Sequence, residues 1–214
     1  MPWMEQLRSA NWNQASSIAL AAYGLGCITT GYYLVKLWKG LDIRDLGSGS
    51  VGAKNVGRTL GWPGFVLTLL GDFGKGAFAV WGARHFTTDE HIVALAILAV
   101  VAGHIWPVQL YFHGGKGIAT SLGALLVFDG YLTTGFVVLF ALAFAFWHKT
   151  VLPGLFAFLC LPLVSLYHGD DGPKAVLISI LAGVVFIAHR KNLTEEFSHF
   201  AERRNAEAKN NRHN

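Results

Sequence analysis

The segment 47–58 holds the first residues whose types suggest chemistry, and it reads Gly-Ser-Gly-Ser-Val-Gly-Ala-Lys-Asn-Val-Gly-Arg. Glycines allow positive φ angles that turn backbone N–H groups inward, while Ser and Asn add short donors. A flexible Gly/Ser linker is the alternative, but a linker does not require Asn55 and Arg58 at this density. The composition therefore favours a cradle for a phosphate group. Its candidate ligands are Ser48, Gly49, Ser50, Lys54, Asn55 and Arg58.

A second polar stretch lies at 103–121, where His104 precedes a Gly-Gly-Lys-Gly run at 114–117. The glycines let another group approach the backbone around Lys116 closely. Thr120 then opens a short apolar segment, and a helix beginning there would direct free N–H groups and a positive dipole end at an anion. The Walker A spacing is absent, so we predict no nucleotide site. Taken alone, the run is also typical of a charged turn.

Two charged residues, Asp72 and Lys75, interrupt an apolar segment at 61–83. Each charge at the centre of a membrane helix costs about 2.5 to 3.5 kcal/mol on the insertion scale. Residues three apart share a helix face, so the two are predicted to pair. The pair either is purely structural or steadies a polar active site, and nearby glycines predict that another backbone packs closely there.

A third polar cluster follows the last apolar segment and begins with His189, Arg190 and Lys191 before Asn192. For His189 alone, an ordinary position at the membrane interface would be the simpler interpretation. No ligand spacing connects His104 and His189, so we expect no metal site and no cofactor.

The elements that must position these clusters are apolar. Charged residues make up 14% of the 214-residue chain, against about 25% in soluble domains, and apolar residues make up 53%. The apolar blocks exclude a soluble nucleic-acid binder, although the net charge is +4. We therefore predict an all-α polytopic membrane protein, with one membrane domain at 1–194 and a polar tail at 195–214.

Seven apolar segments are predicted to cross or enter the membrane, because a crossing helix needs about 20 apolar residues. The fourth holds only about 12, so it either is a half helix that starts inside the protein or tilts with its neighbours. The segments cover roughly 16–38, 61–83, 91–108, 117–128, 131–147, 151–167 and 173–188.

The distribution of Lys and Arg predicts the orientation. With seven segments, 13 of the 17 basic residues lie in the first, third and fifth loops and the C-terminal tail, three lie on the opposite side, and Lys75 lies within a segment. The positive-inside rule then places the N-terminus outside and the C-terminus in the cytoplasm. Both glycine-rich segments and His189 fall on the cytoplasmic face, and this convergence favours a site there.

With these clusters in order along the chain, the sequence resembles the bacterial acyl-phosphate:glycerol-3-phosphate acyltransferases. The family motif GSGNxGATNxxR is matched by GSGSVGAKNVGR, and GHxxPxxxxFKGGKGVAT by GHIWPVQLYFHGGKGIAT. A final HRxN is matched at 189–192, and a DxxKG element at 72–76. The similarity runs from the first apolar segment to Asn192.

This resemblance implies transfer of a fatty acyl group from acyl phosphate to a hydroxyl of glycerol 3-phosphate, giving lysophosphatidate and phosphate. That reaction is the first committed step of phospholipid synthesis. It implies a multi-pass enzyme of the bacterial inner membrane with its active site facing the cytoplasm. The expected partners are the two substrates and membrane lipid, with no nucleic acid.

By the resemblance, His189, Lys116 and Arg58 are the expected catalytic residues. His189 is a candidate general base by its pKa range, and the competing idea is that a substrate phosphate accepts the hydroxyl proton. Acyl phosphate is already activated, so the protein mainly juxtaposes two substrates and stabilises an oxyanion. The expected substrate- and phosphate-binding residues are Ser48, Gly49, Ser50, Lys54, Asn55, Lys75, His104, Gly114, Gly115, Gly117, Thr120 and Asn192.

Three positions depart from the family pattern. Ser50 stands where the family has Asn, Lys54 where it has Thr, and His113 where Lys is common. Lys54 adds a cation to the first cradle, which either tightens phosphate binding or changes which polyol phosphate is accepted.

Two other classes of protein compete with the enzyme. A transporter of a phosphorylated metabolite would also use glycine-broken segments and buried charge, but it needs polar paths to both sides, and the outer loops are short and featureless. A structural membrane subunit would leave the three polar motifs unexplained.

Overall fold

The computed structural model describes residues 11–169, 172–194 and 198. Within these residues the chain is helical and forms no strand, as the all-α prediction requires. The predicted polar tail, apart from Ser198, lies outside the described residues. The helices are α1 (Trp12–Cys27), α2 (Thr30–Lys39), α3 (Ala53–Phe86), α4 (Glu90–Ile105), α5 (Ile118–Phe128), α6 (Gly130–Trp147), α7 (Val151–His168) and α8 (Gly172–Ala188), with short 3-10 turns at Ile43–Asp45 and Val108–Leu110.

Each predicted apolar segment coincides with one of these helices, except that the first is broken. Helix α1 ends at Cys27 and α2 begins at Thr30, so the break falls inside a continuous apolar run. Within the described residues, four stretches are long and apolar enough to cross a membrane: Trp12–Lys39, Glu90–Leu110, Gly130–Trp147 and Val151–His168. The count of seven crossings stays a prediction.

Helix α3 has 34 residues and is kinked at Gly61, whose φ is 73° and ψ −166°. This left-handed conformation suits glycine because it has no Cβ atom. Pro63 follows at the start of the second part of α3, where a helix tolerates proline because its first N–H groups have no partner inside the helix. The kink separates a short helical segment at 53–60 from the apolar helix at 62–86, and it agrees with the predicted boundary at 61.

Glycines set the closest crossings between the helices. Gly26 of α1 and Gly103 of α4 face each other, and a Cβ atom on either would collide with backbone of the opposite helix. Gly76 of α3 and Gly123 of α5 are related in the same way. Small residues allow this approach, which is the usual device for packing helices inside a bilayer. These two crossings fix the bundle that carries both glycine-rich loops.

The apolar core has two parts. The larger part joins α4 to α8 through side chains such as Ile97, Leu125, Phe158 and Leu181, all of which are fully buried. A smaller cluster lies beneath the first glycine-rich loop and contains Val35, Ile43, Val51, Val56 and Leu110. It packs the loop against the turn that precedes the second glycine-rich run.

Candidate active site

The first glycine loop, residues 47–52, is organised by the side chain of Asn55. The amide Nδ2 donates to the carbonyl oxygens of Ile43 (3.3 Å), Leu46 (2.8 Å) and Ser50 (2.9 Å), and Oδ1 accepts from the Ser48 N–H (3.0 Å). Asn55 is 2% exposed. The structure therefore places Asn55 beneath the loop, with its amide engaged by the loop backbone.

Glycine is required within this loop by its conformation. Gly47 and Gly49 have φ angles of 56° and 68°, and a Cβ atom on Gly47 would collide with Asn55 Oδ1. Ser48 is exposed at the tip. The Ser50 hydroxyl accepts a hydrogen bond from the backbone N–H two residues on (3.3 Å), so it too helps to shape the loop.

Two cations flank the first glycine loop, Lys54 and Arg58, one turn apart at the start of α3 and both exposed. Lys54 Nζ donates to Thr150 Oγ1, which ties α3 to the connection between α6 and α7. Desolvation of the ammonium group, together with the nearby Arg58 guanidinium, lowers the pKa of Lys54. Nothing in the sequence around Thr150 indicated this contact, because the two residues are 96 positions apart.

The GGKG loop, residues 114–117, is folded back onto the end of α4. The Gly115 N–H donates to the carbonyl of His104 (3.0 Å), and the Gly114 N–H donates to that of Ile105 (3.1 Å). A Cβ atom on Gly114 would collide with the His104 carbonyl, and one on Gly115 with His104 Nε2. Gly117 caps α5 with a φ of 86°. Packing therefore excludes a side chain at the first two glycines, and the left-handed backbone disfavours one at the third.

Lys75 and His104 lie deeper, in a buried polar cluster with Asp72. Lys75 Nζ is 3.0 Å from Asp72 Oδ1 and 2.8 Å from His104 Nδ1, which confirms the predicted pairing of Asp72 with Lys75. The same ammonium donates to the carbonyls of Gly26 (3.1 Å) and Ile28 (2.9 Å). Its donors are thus directed at groups within the protein.

Thr120 is also inside the bundle. It lies in the first turn of α5, is fully buried, and its backbone carbonyl contacts Gly76 of α3. The side chain of Thr120 therefore lies within the packed interface of α3 and α5.

The segment that follows α8 contributes His189 and Asn192 beside the GGKG loop. Lys116 Nζ contacts Asn192 Oδ1 and so links two motifs that are 76 residues apart. His189 is buried, and its Nδ1 is 2.8 Å from the carbonyl oxygen of Val185. A carbonyl only accepts, so Nδ1 carries the proton and Nε2 can accept one.

Burial lowers the pKa of His189, the hydrogen bond to Val185 partly opposes this, and the charge of Lys116 lowers it further. The imidazole is therefore neutral at pH 7.

Contacts between these loops bring the polar motifs to one end of the bundle. Arg44 Nη1 donates to the Leu110 carbonyl (3.0 Å) and joins the turn before the first glycine loop to the turn before the GGKG loop. Three cations, Lys54, Arg58 and Lys116, accompany the two glycine-rich loops. Such an arrangement can neutralise phosphate oxygens at the edge of a low-dielectric region. Among the described residues, no group of three His, Cys, Asp or Glu could hold a metal ion.

The sequence of this chain matches a known protein family. The sequence model of the family described as Glycerol-3-phosphate acyltransferase matches residues 16–199. Glycerol-3-phosphate acyltransferase 1 of Desulfitobacterium hafniense (strain Y51) is 44% identical over 185 residues, which cover 86% of this chain and 92% of that protein.

Two solved structures are similar to this fold. Both are crystal structures of PlsY, an integral membrane glycerol 3-phosphate acyltransferase, one in a glycerol 3-phosphate form and one in a lysophosphatidic acid form. The first has a TM-score of 0.79 at 31% identity and the second 0.77 at 30% identity, and each comparison covers 86% of this chain and 92% of the other.

Proposed function

This chain belongs to the glycerol-3-phosphate acyltransferase family, and on that premise we propose that it transfers a fatty acyl group from acyl phosphate to glycerol 3-phosphate. It is an integral membrane acyltransferase of phospholipid synthesis, which the two PlsY structures support directly. The products are lysophosphatidate and phosphate. This assignment replaces the transporter and structural-subunit alternatives.

The reaction needs positioning more than a covalent nucleophile. A hydroxyl oxygen of glycerol 3-phosphate attacks the carbonyl carbon of the acyl phosphate and forms the ester bond. The bond between that carbon and the phosphate oxygen then breaks, and inorganic phosphate leaves. The hydroxyl proton passes to a base, so the protein has to align two phosphorylated substrates and stabilise the intermediate oxyanion.

The cations and loop N–H groups fit the phosphate-binding role. We assign Lys116 and Arg58 to phosphate oxygens, because each presents a positive charge beside a glycine-rich loop. Ser48, exposed at the tip of the first glycine loop, adds a hydroxyl donor. Asn192 contacts Lys116 Nζ and orients that ammonium toward the site. We assign the backbone of the two loops the remaining hydrogen bonds to phosphate.

We assign the general base to His189. Its Nδ1 proton is held by the Val185 carbonyl, which leaves Nε2 free of a proton and able to accept one from the attacking hydroxyl. Its lowered pKa keeps it neutral at pH 7. The competing acceptor is the phosphate of a substrate, and the pH dependence of kcat/KM in a His189→Gln variant separates the two.

The orientation in the membrane belongs to the same proposal. We propose seven crossings in one domain at 1–194 of a bacterial inner-membrane protein, with the N-terminus outside and both glycine-rich loops facing the cytoplasm. Single cysteines at Ser48 and at Thr88, which is exposed in the loop after α3, test this in intact cells. We expect an impermeant thiol reagent to label the Thr88→Cys variant and not the Ser48→Cys variant. Labelling of Ser48→Cys would show that the orientation is the opposite of the proposed one.

The observation that carries the reaction is the contact between Lys116 and Asn192, because it joins the GGKG loop to the final motif in one site. The test is phosphate release by purified protein given palmitoyl phosphate, with and without glycerol 3-phosphate, together with mass detection of the lipid. Release that depends on the acceptor, with lysophosphatidate formed, is expected. A folded protein that forms no product would refute the proposal.

Alanine variants test the assignment of the two cations. Removing one donor that stabilises developing charge in a transition state typically costs about 10²- to 10³-fold in rate. Lys116→Ala and Arg58→Ala should therefore lose most activity while inserting normally. Lys36→Ala, at an exposed lysine of α2, is the matched control. Turnover near the wild-type value in both site variants would exclude this assignment.

A further inference from the structure

A buried triad of Asp72, Lys75 and His104 lies between the broken first span and the GGKG loop. The three residues are 3%, 7% and 3% exposed. Charged groups inside a membrane helix bundle are costly and persist where a partner or a function retains them. The proposed acyl transfer does not use these side chains directly, so their retention needs another explanation.

One side of the triad stabilises the break between α1 and α2. A helix end leaves carbonyl groups without partners, and inside a bilayer each such group is expensive. Lys75 Nζ donates to two of these carbonyls, those of Gly26 and Ile28, and Gln109 Nε2 donates to the one between them, at Cys27. The ammonium also meets the negative end of the α1 dipole. Lys75 therefore stabilises the break in the first span.

The other side of the triad faces the GGKG loop. The Lys75 ammonium has only donors, so His104 Nδ1 must accept and the ring proton lies on Nε2. Nε2 occupies the space where a side chain at Gly115 would begin. The backbone carbonyl of His104 accepts from the Gly115 N–H at 3.0 Å. His104 thus packs against the loop with its ring and holds it with its backbone.

We infer that Asp72, Lys75 and His104 are positioning residues that hold the GGKG loop, and with it Lys116, in the arrangement needed for phosphate binding. Asp72 neutralises Lys75, and Lys75 fixes the tautomer of His104 and the break in the first span. Lys75 and His104 then act through the loop and not as phosphate ligands. This inference rests on the proposed function, because the position of Lys116 matters for catalysis only if the GGKG loop is part of the site.

Two replacements of His104 distinguish the roles of its two ring nitrogens, because each replaces a different one. Gln places an N–H donor near the position of Nε2, and Asn places an acceptor near the position of Nδ1 without reaching the loop. We expect His104→Gln to retain more kcat/KM than His104→Asn. The Asn variant is expected to lose about 100-fold, a loss that a misplacement of about 1 Å at the site can cause. Equal activity of both variants and the wild type would overturn the inference, and so would a greater loss in the Gln variant.

Removal of the ion pair tests the other members. Lys75→Met alone leaves the Asp72 charge buried without its partner and can prevent folding, so the double variant Asp72→Asn/Lys75→Met is the main test. Lys36→Met, the same replacement at an exposed lysine, is the control. The double variant is expected to fold and to insert into the membrane but to lose at least about tenfold in kcat/KM. Wild-type kinetics in a folded double variant would refute the positioning role.

Hydrogen exchange gives a readout that does not depend on turnover. The amides of Gly114 and Gly115 donate to the end of α4, so their exchange reports the attachment of the loop. We expect at least about tenfold faster exchange there in the double variant and in His104→Asn, with α6 and α7 unchanged. Unchanged exchange would overturn the inference even if the wild-type enzyme transfers acyl groups. A wild-type protein without transferase activity would instead refute the proposed function.

Discussion

Replacing Asn55 by alanine should loosen the first glycine loop. The amide has two N–H protons and three carbonyl acceptors within 3.3 Å, and Oδ1 accepts from the Ser48 N–H, so the side chain supplies about three hydrogen bonds. At about 1 kcal/mol each, their loss destabilises the ordered loop by about 3 kcal/mol. This corresponds to about a 100-fold larger population of the open loop.

Hydrogen exchange on peptides covering 43–50 is the direct assay for Asn55→Ala, and initial rates with glycerol 3-phosphate are the functional one. We expect about 100-fold faster exchange in this segment and a large fall in kcat/KM, because Ser48 and the loop N–H groups lose their arrangement. Asn13→Ala, at an exposed asparagine of α1, is the matched control and should leave both unchanged.

Asn55→Asp refines the same test. It keeps the acceptor for the Ser48 N–H but replaces the donors with a negative charge facing three carbonyl oxygens, so it should be at least as damaging as alanine. The reasoning would be refuted if Asn55→Ala kept wild-type exchange across 43–50. Faster exchange with undiminished kcat/KM would instead show that the loop is not needed for the reaction.

Three further predictions concern other parts of the chain. Lys54→Thr removes the contact with Thr150, and we expect the KM for glycerol 3-phosphate, measured by initial rates, to change about three- to tenfold. An unchanged KM would show that Lys54 is not part of the acceptor site. Because the pKa of His189 lies below its ordinary value of 6.5, kcat/KM should fall only as pH decreases below that value and Nε2 gains a proton. His189→Gln should abolish this acid limb, and a persistent limb would favour a substrate phosphate as the base. Gly76→Ala forces a Cβ atom into the backbone of α5 and should destabilise the protein by about 1 to 3 kcal/mol. At Gly74 a Cβ atom meets open space, so Gly74→Ala should be neutral or stabilising by about 0.5 to 1 kcal/mol. Equal melting temperatures of the two variants in detergent would contradict the packing argument.

Helix positions were accessible from the sequence because the apolar runs are long and their ends carry clear signals. The boundary at 61 coincides with the kink at Gly61, and the short fourth segment appears as the 11-residue helix Ile118–Phe128. The pairing of Asp72 with Lys75 followed from helical spacing alone, since residues three apart share a face. Local periodicity was sufficient for these features.

The assignment of roles within the motifs required tertiary contacts. Asn55, Lys75, His104 and Thr120 were expected among the phosphate ligands by the family resemblance, although the spacing of Lys75 and Asp72 left a purely structural pair equally open. The structure directs the Asn55 amide at its own loop and buries Lys75 and His104 beside a helix break. No spacing rule distinguishes a residue that binds a ligand from one that supports the residues that do.

The sequence by itself determined the all-helical membrane fold, the order of the helices and the three motifs, because each depends on neighbours within a few positions. Only the tertiary structure decided the break after Cys27, the contact of Lys54 with Thr150 and the meeting of Lys116 with Asn192. These features join residues that are far apart in the chain or depend on a buried donor from another helix. They depend on how the helices pack in three dimensions, which one-dimensional patterns do not encode.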